Sequence, residues 1–225
     1  VFRYDPLNES FEDTLTLPIE PEEPTEPVWP GPIASDNDRG IVYVIETENL
    51  LLYAFDENLV PVSDPVEIAF PEEEGQQEEK KYHPAGLIFN PEGNEGQGSL
   101  LFVEVREAKI YEITDQGEIL RTFTHPDRER AQPPEDSPYG PVVFGLSLPP
   151  EEGSSFLDLT GGTMWDGCAT RILRVELKDN QLRPTGYEIP LNGMALHSWP
   201  GYVSFLWYGD RLFALNIVEL GGVLY

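Results

Sequence analysis

Short runs of alternating apolar and polar residues, each closed by a cluster of turn-forming residues, make up most of this chain. Residues 1–4 lead through a turn at 5–9 into residues 14–18. The same couplet returns as 51–55 with 66–70 around Asp56-Glu57-Asn58, and as 110–113 with 119–123 around Asp115-Gln116-Gly117. It recurs as 172–177 with 187–189 around Lys178-Asp179-Asn180, and more weakly as 212–215 with 223–225. Ahead of the later couplets stand two further candidates each: 32–34 and 41–45, 86–89 and 100–103, 142–146 and 156–159, 194–197 and 203–207. Alternation over about four to eight residues, bounded by Asn, Asp, Gly and Pro, predicts β-strands. No segment sustains the helical period of about 3.6 residues over ten or more positions, so helices should be scarce.

Taken together, the strands form a unit of four repeating about every 40 to 60 residues, the spacing of propeller blades. A four-stranded sheet with two largely apolar faces cannot bury both by itself; radial stacking against like sheets does so and leaves only short edges. The chain is therefore expected to be all-β, a β-propeller or propeller segment of four-stranded antiparallel blades, with about four full units plus a partial one. The units fall at residues 1–18 (partial), 32–71, 84–125, 140–191 and 193–225 of a single domain spanning 1–225. Residues 1–18 either complete the last sheet and close the ring, or blades are missing from the chain. A β-sandwich is the rival architecture, since it too is built from short alternating strands.

Charge changes the picture more than composition does. Against 41 acidic residues stand 14 basic ones, for a formal charge of −27. Phosphate neutralisation needs clustered Lys and Arg, so nucleic acid is not an expected partner, and an anionic membrane surface is disfavoured likewise. No apolar run approaches membrane-spanning length. Protein or cation partners fit the charge. Cys168 is the only cysteine, which excludes an intrachain disulfide. The chain opens on Val1 with no signal peptide, as a processed form or an excised piece would. Acidity and the missing initiator Met suggest an extracellular or periplasmic protein.

In a propeller the fourth-to-first and second-to-third connections share one face. Here the fourth-to-first connections are long, acidic and rich in proline: 18–27 with Glu22 and Glu23, 71–79 with Glu72, Glu73, Glu74, Glu78 and Glu79, and a third with Asp127, Glu129, Glu135 and Asp136. The second-to-third turns add Glu46, Glu48, Glu104, Glu107, Asp166 and Asp210. Prolines stiffen such loops and lower the ordering cost of binding. The expected function is a non-enzymatic binding or assembly module that presents this acidic, proline-rich loop face to a cationic or protein partner. The plainer alternative is that the loops are solvated and only keep the chain soluble.

Residues 84–89, 100–104, 110–113 and 116–120 resemble blades of the broad NHL, gluconolactonase-like and phytase-like group of propellers. That resemblance implies a second function, a calcium-dependent hydrolase, with Ca2+ as its only implied cofactor. Where blades of that group carry Asp or Asn after the second strand, this chain has Glu104-Val105-Arg106. His83, His197, Glu104, Asp166 and Asp210 are the candidates for gathering at a channel mouth to hold the ion and activate water. Trp165, in the glycine-rich stretch 161–167, is the aromatic placed to touch a ligand. His125 beside Pro126 reads as a loop residue, and Asp36-Asn37-Asp38 as a tight turn rather than a calcium loop. No nucleophile elbow, phosphate loop or zinc motif is present.

Overall fold

The computed structural model describes residues 4–5, 10–11, 30–47, 49–70, 84–104, 108–126, 145–150, 155–163, 168–190, 202–208 and 211–217. A hairpin of β1 (Tyr4–Asp5) and β2 (Ser10–Phe11) comes first. Three four-stranded antiparallel sheets follow, each with its strands in chain order. The first holds β3 (Pro30–Asp36), β4 (Ile41–Glu46), β5 (Leu51–Asp56) and β6 (Val66–Glu67). The second holds β7 (Pro84–Asn90), β8 (Ser99–Glu104), β9 (Lys109–Ile113) and β10 (Ile119–Thr124). The third holds β11 (Leu146–Ser147), β12 (Phe156–Thr163), β13 (Cys168–Lys178) and β14 (Gln181–Pro190). A last pair joins β15 (Tyr202–Tyr208) to β16 (Arg211–Ile217).

Helix is as scarce as the periodicity implies. The one helical turn among the described residues, Gly93–Gly96, contains Asn94 and Glu95 at φ of 49° and 57°, so it is a left-handed turn. The sheets meet through their first strands: β3 packs on β7, β7 on β11 and β11 on β15. Consecutive sheets therefore stand side by side around a common line of first strands, which is the propeller arrangement and not two sheets stacked as a sandwich.

Strand β8 shows why. Its alternate residues Leu100 and Phe102 enter one core with Tyr43, Ile45 and Leu52 of the first sheet. Leu101 and Val103, pointing the other way as strand period demands, enter a second core with Leu157, Leu159 and Val175 of the third sheet. None of these four β8 side chains is more than 1% exposed. The interface between the first and second sheets also carries ring contacts, Tyr43 stacked on Phe89 at 6.1 Å and Phe70 set edge-on to Tyr111 at 5.1 Å. A backbone bond, Ala69 N–H to the Gly117 carbonyl at 3.1 Å, ties the same two sheets at the rim. Gly117 sits at φ +76°, and a Cβ there would lie 2.3 Å from the Glu67 carbonyl oxygen, so no other residue fits this contact.

Strand β14 departs from the sequence expectation. Asp179 and Asn180, at φ of 51° and 56°, form a two-residue hairpin turn, and the strand begins immediately at Gln181 instead of at 187. Residues 181–186 lack an apolar alternation because this outermost strand is mostly exposed. Pro184 and Gly186 suit an edge that must not pair with another chain.

A sheet buried on both faces makes a specific prediction. Leu100→Ala and Leu101→Ala, adjacent but opposite-facing, should each destabilise the protein by about 2–5 kcal/mol in urea unfolding. A silent response at either position would mean that one face of the sheet is free.

Candidate functional site

The strand registers decide which connections lie together. Pro30 pairs with Glu46 and Leu51 with Glu67. Pro84 pairs with Glu104, which also pairs with Lys109, and Lys109 pairs with Thr124. Thr163 pairs with Cys168, and Arg171 with Pro190. In each sheet the start of the first strand, the end of the second, the start of the third and the end of the fourth thus share one end, here called the entry end. Residues 71–83 and 127–144 leave one sheet and reach the next at that end. Glu22, Glu23, Glu72, Glu73, Glu74, Glu78 and Glu79, with His83, Trp165, Asp166, His197 and Asp210, lie outside the described residues; the structure fixes only the strand ends they connect.

Two predicted surface carboxylates are interior. Glu104, the last residue of β8, is 1% exposed, and Glu46, the last of β4, is 3% exposed. Glu46 Oε2 accepts the Asn49 N–H at 2.8 Å and so closes the turn into β5. Glu46 thus organises a strand end, and neither side chain is exposed to a partner. His125, expected in a loop, is also buried. Its N–H donates to the Ala108 carbonyl at 2.8 Å, and its Nε2 lies 3.1 Å from the Thr160 carbonyl oxygen of β12. Thr160 Oγ1 in turn accepts the Gly145 N–H at 3.1 Å. His125 thus bonds the second sheet to the third at the entry end.

Trp207 Nε1 donates to Asp158 Oδ2 at 2.7 Å, and Asp158 stands near the start of β12, towards the opposite end of its sheet. β15 packs on β11, so it is the first strand of its sheet and not the second.

Three acid–arginine pairs account for the other buried acids among the described residues. Asp158, fully buried, receives a two-point contact from Arg174, Nε to Oδ1 at 2.8 Å and Nη2 to Oδ2 at 3.0 Å, and Arg174 lies over the Tyr187 ring. Glu112 is held between Ser99, whose Oγ donates to Oε1 at 2.7 Å, and Arg121. Gly93 lies so close that a Cβ would meet Ser99 Oγ. Asp36 accepts the Asp38 and Arg39 N–H groups and the Arg39 side chain. Arg39 also reaches Tyr43, Asp115 and the Phe89 ring, joining the first and second sheets. Burial opposes ionisation of Asp36, but the Arg39 side chain and the two backbone donors outweigh it and hold its carboxyl below the ordinary value of 3.8. Burial raises the Tyr43 hydroxyl, with Arg39 acting the other way.

The Asp36 oxygens accept hydrogen bonds within their turn, and Asn90 Oδ1 accepts the Glu92 N–H at 3.2 Å. Among the described residues no group of three or more His, Cys, Asp or Glu could hold a metal ion. Among them, too, no helix is long and apolar enough to cross a membrane.

Two outcomes are expected. Asp158→Ala strands a nearly buried guanidinium and the Trp207 N–H, and should cost about 3–5 kcal/mol with a shift in tryptophan emission; the double change Asp158→Leu with Arg174→Met should recover much of it. Since the Asp36 carboxyl is depressed on folding, its stabilisation is present above pH 3.8 and lost as pH falls through the lower folded value. Asp36→Asn should therefore flatten the acid limb of the urea midpoint between about pH 5 and 2.

No protein-family model matches this chain, and no curated protein matches it. Among solved structures, Sqt1 of Saccharomyces cerevisiae, a β-propeller, is similar over 96% of this chain with a TM-score of 0.51 at 14% identity. The chain spans half the length of Sqt1 (50%). At that identity the likeness speaks for the fold, a β-propeller, and does not single out the NHL, gluconolactonase-like and phytase-like group. The extracellular or periplasmic setting expected above is corrected, because the likeness to Sqt1 gives it no support. The physical reason is that an acidic surface stays soluble in any aqueous compartment.

Proposed function

We propose that this chain is a non-enzymatic binding or assembly module whose entry end recruits a cationic protein partner through its acidic, proline-rich connections. One observation carries the reading: the registers bring both anchors of residues 71–83 and of residues 127–144 to the same end of their sheets. Charge placement adds to it. Arg39, Arg121, Arg174 and Arg183 are each held by an acid within or beside the blades. Residues 18–27, 71–83 and 127–144 carry 13 acids, diluted by Lys80, Lys81, Arg128 and Arg130, and there Glu22, Glu23, Glu72, Glu73, Glu74, Glu78 and Glu79 would form the recruiting surface. His83, Trp165 and Asp166 border strand ends at that same end and belong to the proposed surface. Long-range attraction by such a field raises encounter rates with a basic partner, and proline-stiffened segments lose less entropy when it docks.

The narrower resemblance of residues 84–120 to the calcium-dependent hydrolases rests on sequence alone. Calorimetric titration with calcium separates it from the proposal, since saturable heat at millimolar calcium would favour the hydrolase.

Replacing Glu72, Glu73, Glu74, Glu78 and Glu79 together by Gln tests the proposal directly. Fluorescence anisotropy with a labelled deca-lysine peptide should show affinity falling by roughly tenfold at low salt, with a shallower salt dependence. Unchanged affinity, with only the salt tolerance of folding altered, would assign these residues to solubility.

A further inference from the structure

The connection between β5 and β6 holds two apolar side chains out to solvent on a fixed frame. Val60 and Val62 are 56% and 50% exposed, with Pro61 between them also exposed. The frame is closed by Asp56: its Oδ1 accepts the Asn58 N–H at 2.9 Å and the Val60 N–H at 2.8 Å. Its backbone N–H donates to the Val60 carbonyl at 2.9 Å, and its carbonyl accepts the Leu59 N–H at 2.9 Å. Val62 N–H then donates to the Ala54 carbonyl at 3.0 Å, and Pro61 bridges to Phe55, so the segment is laid against the outer edge of β5. Leu59 adopts φ 59°, a left-handed conformation that costs a bulky non-glycine residue and persists only where its surroundings enforce it. Solubility would be served by polar residues here; instead the loop tolerates strain and displays two valines.

We infer that Val60 and Val62 form a second docking point, an apolar anchor for a protein partner whose cleft is apolar at its floor and lined by Lys or Arg at its rim. The rim follows from charge complementarity. Glu57, Asp64 and Glu67 flank the valines and are exposed, and between Arg39 and Lys80 the chain carries no Lys or Arg. A second copy of this chain is a poor occupant, because it would bring carboxylates against carboxylates on molecules of charge −27. Strand addition by another chain is blocked, because Pro61 and Pro65 have no N–H to offer along this edge. What remains is insertion of a preformed knob, which loses little conformational entropy on binding. The anchor is distinct from the acidic connections, since it sits on the outer edge of the first sheet and works by contact rather than at range.

The test uses the full chain and a labelled amphipathic helical peptide of Leu and Lys, with a control peptide in which Ser replaces every Leu. Anisotropy is read at about 0.5 M salt, where the Debye length is only a few ångströms and the acidic connections contribute little. Val60→Ser with Val62→Ser should weaken the Leu/Lys peptide by at least tenfold there, without moving the thermal midpoint. The five-Glu→Gln protein should bind it within twofold of the unaltered chain, and the Ser control should not bind. Equal affinity of the valine variant and the unaltered chain would overturn the inference. So would a fall in thermal midpoint, which would show the valines packed within the molecule, or a concentration-dependent mass in sedimentation abolished by the same substitutions, which would make the occupant a second copy. Because the two variants report separately, failure of the anchor and failure of the acidic surface are distinguishable.

Discussion

A sheet that is apolar on both faces cannot stand alone, and this requirement organises the molecule. In the second sheet, Leu100 and Phe102 on one side and Leu101 and Val103 on the other are all removed from water, which takes a neighbour on each side. At about 1.5–3 kcal/mol for each large side chain buried, two such interfaces outweigh any single cross-strand interaction. Once both faces are occupied, first strands adjoin first strands along a shared line and fourth strands form the rim. Recognition is then left to the connections at the two ends and to the outer edges. The functional reading of this chain is thus a reading of its loops, for a structural reason.

The same packing explains how acids came to be inside. Asp158 and Glu112 sit in the sheets at positions where a hydrophobic residue would do, and each is matched by an arginine on the adjacent strand. A buried pair of this kind contributes little net stability over an apolar pair, but its loss is costly and its geometry is unique. Asp158 binds Trp207 across to the next hairpin, and Asp36 fixes Arg39 where it meets Asp115 and Phe89 of the next sheet. Their contribution is therefore to the relative setting of neighbouring blades as much as to stability. In a repeated fold whose interfaces are otherwise similar, such contacts distinguish one junction from another.

The fold was legible because turn chemistry and alternation are local. Asp115-Gln116-Gly117 and Asp179-Asn180 mark their hairpins from composition alone, and residues 100–103 announce a strand buried on both sides. Strand β14 was less legible, since an exposed edge needs no apolar face and residues 181–186 show none. Site residues fared worse because their meaning depends on partners distant in sequence. Glu104 and Glu46 look like turn acids until the register places them inside strand ends. His125 looks like a loop residue until Thr160, far along the chain, supplies its partner. The place of β15 within its sheet is likewise set by packing on β11, which no local pattern encodes. Arginine one strand away from an acid at a buried position was the available signal for the interior pairs.

Charge and apolar contact act over different distances, and the two proposals assign them to different parts of the chain. At physiological ionic strength a field of carboxylates reaches about 8 Å, enough to bias the approach of a basic molecule but poor at choosing among basic molecules. Selectivity needs contacts that are lost when shape is wrong, and those come from fixed apolar groups in a matching cleft. The acidic connections suit the long-range role, with many like charges, prolines, and anchors gathered at one end. The hydrogen-bonded loop at Asp56 suits the short-range one, because five hydrogen bonds close it and three of them fix the backbone of the valines themselves. A partner satisfying both must be basic and must present an apolar cleft within reach of the outer edge of the first sheet. That joint requirement is stricter than net charge alone and excludes most cationic proteins.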